Sequence, residues 1–356
     1  MGRWLRFCAI GLACAAAVLP TPASAVERWF SRGWYAAVQP RLTAFSNLLP
    51  FALFDLLCAI ALVALVAWWW RGLRRVPRPG RWSAVRGLTL DTLAAAAIIY
   101  LWFLAAWGLN YRREKLETRL DFDAGRVTRD SLVELATEAA RNATAVREER
   151  SGTLDDPVPR LEAAFARTLS TLSIAPTRTA RPKWTVLTAL WKRTGVDGMT
   201  DPFFLESLVR TDLLPFEQPF VVAHEWSHLA GFADESEASF IAYLTCLQGD
   251  ADARYSGWLL LYSEVFRALN DIDRATVRQS LGPGPRADLR ALAEKSLREI
   301  NPATAKAGSA VYDRFLKANR LESGLRSYAE VTRLLAGTKM IQPGVPRLRN
   351  SSAQGE

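Results

Sequence analysis

Two stretches of the chain are almost free of polar positions. Residues 50–70, PFALFDLLCAIALVALVAWWW, carry one charge, Asp55, and residues 88–107, LTLDTLAAAAIIYLWFLAAW, carry one, Asp91. At about 1.5 Å per residue each helix would span roughly 30 Å, the thickness of a hydrocarbon core, and buried helices of soluble proteins seldom keep so long an apolar run. Both stretches therefore predict membrane-crossing helices. A third apolar segment, about 7–25, follows Arg3 and Arg6 and closes on the small residues TPASA. That pattern fits a cleavable signal peptide as well as a first span, and the residues leave both open.

Past residue 109 the texture changes to spaced apolar positions among charges, which predicts an α-rich domain over 110–340 following a membrane domain over 1–109. TRDSLVELATEAARNATAVREER at 128–150 opens with Thr128 as an N-cap and keeps helical spacing. Another helix is expected over 157–173. Between Trp184 and Leu214, β-branched and aromatic residues alternate with turn signals at Gly195, Gly198 and Pro202, predicting two or three short strands. From Phe220 helices return and run to about Leu335, broken at GPGP over 282–285 and at Asn301 and Pro302. Residues 341–356 are expected to be a disordered tail. The fold class is mainly α, formally α+β, with one small β-sheet.

Charge fixes an expected orientation. The loop RGLRRVPRPGRWSAVR, 71–86, holds Arg71, Arg74, Arg75, Arg78, Arg81 and Arg86 and no acid, which predicts a cytoplasmic loop and places everything after Trp107 outside the cytoplasm. The expected location is a bacterial inner membrane, crossed several times. This loop largely accounts for the net charge of +9, so the basic balance points to the bilayer as partner and not to nucleic acid. Trp68, Trp69, Trp70, Trp102 and Trp107 read mostly as interfacial anchors. Asp55 and Asp91 lie near span ends, where snorkelling softens the cost of a charge. Of four cysteines, Cys8, Cys14 and Cys58 lie in apolar segments and Cys246 stands alone in the outer domain. No disulfide framework follows, and Cys246 reads as a small buried hydrophobe.

The chemistry is concentrated in VVAHEWSHLAGFADESE, 221–237, which holds both of the chain's histidines. Residues four apart share a helix face, so His224 and His228 can present ring nitrogens to one ion, with Glu225 turned about 100° away and free to act on water. This is the H-E-x-x-H pattern of a zinc hydrolase, in which Zn2+ acidifies water and the glutamate is the general base. The apolar run around His224 is far too short to cross a bilayer, which argues against an intramembrane protease. A catalytic zinc takes three protein ligands, and no histidine remains. Asp234 would complete H-E-x-x-H-x-x-G-x-x-D, a pattern of some metzincin-like enzymes. Glu235 opens ESEAS, which resembles the E-x-E-A-D signature of gluzincin-type peptidases, whose first glutamate binds zinc. Glu235 is preferred, with Glu237 as a supporting acid. Ser239 stands where that signature has an aspartate that steadies a ligand.

The whole chain resembles a family of bacterial multi-pass membrane proteins of unknown function that is placed with the zincin-type peptidases. Three amino-terminal apolar segments, PFALFDLL, WGLNYRR, HEWSHLAGFADESEASFIAYL, RYSGW and VYDRFLKANRLESGLRSY carry the resemblance. It implies a zincin-like metallopeptidase domain outside the inner membrane, with peptide or protein substrates in the cell envelope. Arg254 and Tyr255 in RYSGW are candidates for stabilising the oxyanion, with packing as the plainer role for Tyr255. The region around Phe203 to Leu208 could offer a strand edge to an extended peptide, and Glu206 there is a specificity or structural acid. The competing class is a non-catalytic membrane receptor or scaffold with a structural or vestigial zinc site.

Overall fold

A computed structural model describes residues 3–150, 158–321 and 327–349. The amino-terminal helix α1 (Arg3–Val18) stops before Pro20, and α2 (Ala23–Ala25), a π-helical segment (Val26–Trp34) and α3 (Tyr35–Asn47) then run on as one continuous rod. Next come α4 (Leu53–Arg74) and α5 (Arg81–Ala106). These two are long and apolar enough to cross a membrane, and α1 with the following rod, bent by 115°, would make a third span if counted as one. Leu62 and Val63 are among the many α4 side chains left exposed, as expected of a helix apolar all round whose solvent is lipid. These helices are consistent with a membrane protein.

The charges in the apolar segments have partners. Arg6 of α1 pairs with Asp91 of α5 at 2.7 Å. Asp55, in the first turn of α4, accepts hydrogen bonds from the Thr185 hydroxyl at 2.7 Å and the Val186 N–H at 2.9 Å. Two tryptophans depart from the anchor role. Trp69 donates to the Thr92 hydroxyl across the α4–α5 pair, and Trp107 is buried against the domain that follows α5.

That domain is mainly helical: α6 (Arg129–Glu149), α7 (Val158–Thr171), α8 (Thr188–Thr194), α9 (Gln218–Leu229), α10 (Glu235–Leu247), α11 (Ala251–Ala268), α12 (Asp271–Gln279), α13 (Pro283–Glu299), α14 (Pro302–Ala318) and α15 (Ser327–Gly337). Thr128 caps α6 in a reciprocal capping box with Ser131. Ala136, Ala139, Ala140 and Ala143 form one face of α6, and their small size lets α11 pack along it. Helix α10 is buried from Glu235 through Cys246. Gly257 of α11 faces it so closely that a Cβ would lie 2.8 Å from that of Cys246. Cys246 is the buried hydrophobe expected.

Strands β1 (Pro182–Lys183), β2 (Gly198–Thr200) and β3 (Ser207–Val209) form one sheet in the order β1-β3-β2. β3 is central, parallel to β1 and antiparallel to β2, with Met199 opposite Leu208. Two of the strands expected between Trp184 and Leu214 are there, as β2 and β3. Two details are corrected: the stretch from Trp184 is not a strand but turns and becomes α8, closed by Gly195 at φ 76. The region up to Leu208 supplies no edge, because β3 is covered on both sides; the edges of the sheet are β1 and β2. The tail is ordered further than expected, since β4 (Met340–Gln342) and β5 (Val345–Pro346) form a hairpin. The remainder of the expected tail, 350–356, lies outside the described residues, as does the start of the helix expected at 157. The hydrophobic core is continuous from Phe30, Tyr35, Phe103 and Trp107 to Trp226, Phe240 and Tyr255.

Candidate metal centre

Helix α9 starts with Pro219 in its first turn, where a missing N–H costs nothing. It ends at Gly231, whose φ of +84 suits glycine and whose N–H returns to the His228 carbonyl. The turn that follows is short, so α10 begins beside the end of α9. Asp234 caps α10, accepting from the Ser236 N–H at 2.8 Å and the Ser236 hydroxyl at 2.6 Å. With its carboxylate spent on the cap, Asp234 is not the third arm, and Glu235 on the first turn of α10 is.

The three converge. His224 Nε2 lies 3.1 Å from Glu235 Oε2 and 3.1 Å from His228 Nε2, and His228 Nε2 lies 3.5 Å from Glu235 Oε2. Ligands about 2.05 Å from a tetrahedral ion stand about 3.3 Å apart, so the spacing fits a small divalent cation. Among the described residues this is the group of histidine, cysteine and acid side chains that could hold one. The other nitrogen of each ring is tied down. His228 Nδ1 bonds the Phe232 carbonyl at 2.7 Å, and His224 Nδ1 meets the Ser239 hydroxyl at 3.2 Å. Such bonds fix the tautomer and aim Nε2 inward. Ser239 thus does, for His224, the steadying expected of an aspartate. Burial opposes a charge on His228, but the Glu235 carboxylate overrides it and pushes the imidazole up to about 9. Glu235 itself, despite burial, is held well below the usual carboxylate range by the two rings.

Glu225 is buried, and that burial pushes its carboxyl above the ordinary range. The Thr200 hydroxyl binds both its Oε2 at 2.9 Å and its backbone carbonyl at 2.8 Å. One strand position earlier but one, Gly198 lies so near that a Cβ there would stand 2.6 Å from Glu225 Oε1. The β2 edge therefore runs directly beside Glu225.

The walls come from distant sequence. Tyr312 of α14 donates to Glu235 Oε1 at 2.5 Å. Tyr312 stacks on Phe315, which meets Tyr111 edge-on. Trp107, the residue after α5, packs edge-on against both Tyr111 and the His228 ring, and its indole N–H donates to the His228 carbonyl at 2.9 Å. The Tyr35 hydroxyl donates to the Leu229 carbonyl and Arg113 to those of Ala230 and Gly231. The end of the histidine helix is thus clamped by the start of α3 and by the segment that follows α5.

The model of the family described as "Protein of unknown function (DUF3810)" matches residues 30–336. The chain belongs to the DUF3810 family. No curated protein matches it, and no solved structure does. The match takes in both long apolar helices, the histidine helix and α14, so the apolar helices and the His224, His228 and Glu235 group of this DUF3810 chain all lie within the matched region.

The other expected site residues lie elsewhere. Arg254 pairs with Glu149 at 2.8 Å on the surface. Tyr255 is buried, donates to Asp288 and packs against Phe216 and Arg150. Both are structural, and the oxyanion role expected of them passes to no group in RYSGW. Glu237 accepts from the Leu116 N–H at 2.6 Å, and burial with Asp234 nearby pushes its carboxyl up to about 7. It supports α10 from behind. Glu206 is structural: it pairs with Lys183 at 2.6 Å and accepts the Leu53 and Phe54 N–H groups that open α4. Tyr312, Tyr111, Trp107 and Thr200 were not singled out by motif reasoning. Tyr312 and the Trp107–Tyr111 pair lie in the stretches VYDRFLKANRLESGLRSY and WGLNYRR, but nothing local marks them as neighbours of the histidines.

Proposed function

We propose that the chain is a membrane-anchored zinc-dependent metallopeptidase that hydrolyses peptide bonds outside the cytoplasm of a bacterial cell, with a zincin-like catalytic domain. The observation that carries this is the convergence of His224, His228 and Glu235 at tetrahedral spacing, with both outer ring nitrogens already engaged. Two imidazoles and one carboxylate suit zinc and leave a fourth position for water, whereas structural zinc sites are usually closed by four Cys or His ligands. A zinc ion held there would supply the Lewis acid that makes water a nucleophile near neutral pH. Glu225 takes the proton from that water, and Thr200 holds its carboxylate in place. Tyr312, hydroxyl turned to the cluster, stabilises charge developing on the attacked carbonyl oxygen. An extended peptide adds to the open edge of β2, which brings its backbone past Glu225. The arginine-only loop between α4 and α5 supports a cytoplasmic turn, and hence an outer catalytic domain.

The test compares wild type with Glu225→Gln in the full-length chain. Zinc is expected at one equivalent in both and absent in His224→Ala, while substrates accumulate in envelope proteomes of the Glu225→Gln strain. No stoichiometric zinc, or zinc unchanged in His224→Ala, removes the site. Zinc retained with identical envelope proteomes supports a scaffold instead of an enzyme.

A further inference from the structure

A second charged cluster lies on the other side of the clamp. Arg32 comes from the π-helical segment, and Arg113 and Arg119 from the stretch that follows α5. All three point at one carboxylate, Glu27: its Oε1 accepts from Arg32 at 2.9 Å, from Arg113 Nη2 at 3.1 Å and from Arg119, and its Oε2 from Arg113 Nε at 3.0 Å. Among the described ion pairs none of these arginines has a further carboxylate. Three guanidiniums therefore share one negative charge. They cannot shed their own by deprotonation at ordinary pH. The side chains of Glu27, Arg113 and Arg119 are 5, 7 and 15% exposed, so water does little to offset the surplus. Burial, together with the neighbouring guanidiniums, holds Arg119 below its ordinary value in spite of Glu27.

These residues line a cavity of about 240 Å³, with Gln39 and Thr177 on its walls. Its volume far exceeds the roughly 30 Å³ of one water. Arg113 spends its remaining donors on the Ala230 and Gly231 carbonyls, whereas Arg32 and Arg119 give Glu27 one nitrogen each. The cavity also sits at a defined depth. Trp34, two residues past Arg32, donates its indole N–H to the carbonyl of Ala105 in the last turn of α5, and Trp29 and Trp34 are largely exposed. Exposed tryptophans at the end of a span mark the level of lipid headgroups.

We propose that this cavity is a binding site for a phosphate-type anion, gripped by Arg32 and Arg119 while Glu27 holds the guanidiniums in register. Fork-shaped guanidiniums match phosphate oxygens pairwise. The anion could come from a phospholipid headgroup or from free phosphate. Occupancy would bear on the metal centre through Arg113, which bonds the carbonyls of the turn immediately after His228.

The full-length chain in neutral detergent, titrated with inorganic phosphate and separately with short-chain phosphatidylglycerol, tests this by thermal unfolding, with sodium chloride at matched ionic strength as control. A saturable rise in Tm is expected. Loss of one charge-assisted pair in Arg32→Gln should raise the midpoint concentration about tenfold. Arg32 is more than half exposed, so this variant should fold even if Arg119→Gln does not. A rise with phosphate assigns free anion as the source; a rise with phosphatidylglycerol alone assigns the headgroup. No saturable rise with either, an equal rise with chloride, or an unchanged midpoint in Arg32→Gln overturns the proposal.

Discussion

Tyr312 places a hydroxyl on the far oxygen of Glu235, where, in the proposed reaction, it would act on the attacked carbonyl without holding the ion. Tyr312→Phe keeps the ring that stacks on Phe315 and removes only the donor. It should leave zinc content unchanged and lower kcat by about 100- to 1,000-fold, the usual cost of losing one oxyanion donor. Metal analysis beside turnover of a peptide substrate would show this, and loss of zinc in the same variant would instead make Tyr312 a support for Glu235. At this scale the sequence was legible only where the chemistry is local. His224, Glu225 and His228 declare themselves because one helical turn brings them together. Glu235 follows because a short turn joins α9 to α10. Tyr312 and Trp107 stand 77 and 121 residues from their partners, and no pattern along the chain encodes a contact made by tertiary packing. Tyr255, by contrast, sits on a helix near the site in sequence, yet its hydroxyl serves Asp288.

Among the elements, the best-determined junction is between α4 and the sheet. The first N–H groups of a helix lack partners within it, and at α4 Glu206 supplies acceptors to Leu53 and Phe54 while pairing with buried Lys183. Glu206→Ala would leave Lys183 charged and buried with no carboxylate, only the Ser46 carbonyl, beside it, and breaking a buried pair typically costs about 3 to 5 kcal/mol. The expected results are a lower Tm in detergent and faster proteolysis between α3 and α4; a wild-type Tm would contradict the role. Apolar periodicity located the spans and most helices, whereas the region around the sheet was misread in part. Residues 184–191 carry β-branched and aromatic side chains, but Asp55 binds Thr185 and Val186 and bends the chain into α8. Local propensity yielded there to a contact from the membrane segment.

For the molecule as a whole, the membrane segments are part of the core. Phe30, Tyr35, Phe103 and Trp107 share one hydrophobic cluster with Trp226 and Phe240. Residues 110–349 made alone should therefore aggregate, or bind zinc more weakly than the full chain, as size-exclusion chromatography and metal analysis would reveal. A stable monomer with full zinc affinity would show that the domain after α5 needs nothing from the apolar helices. Trp107 is made early and Tyr312 late, with both histidines in between. A ribosome must accordingly deliver most of the polypeptide before the cluster has all its neighbours, and a product cut short ahead of α14 would own both histidines and Glu235 yet lack the hydroxyl beside them.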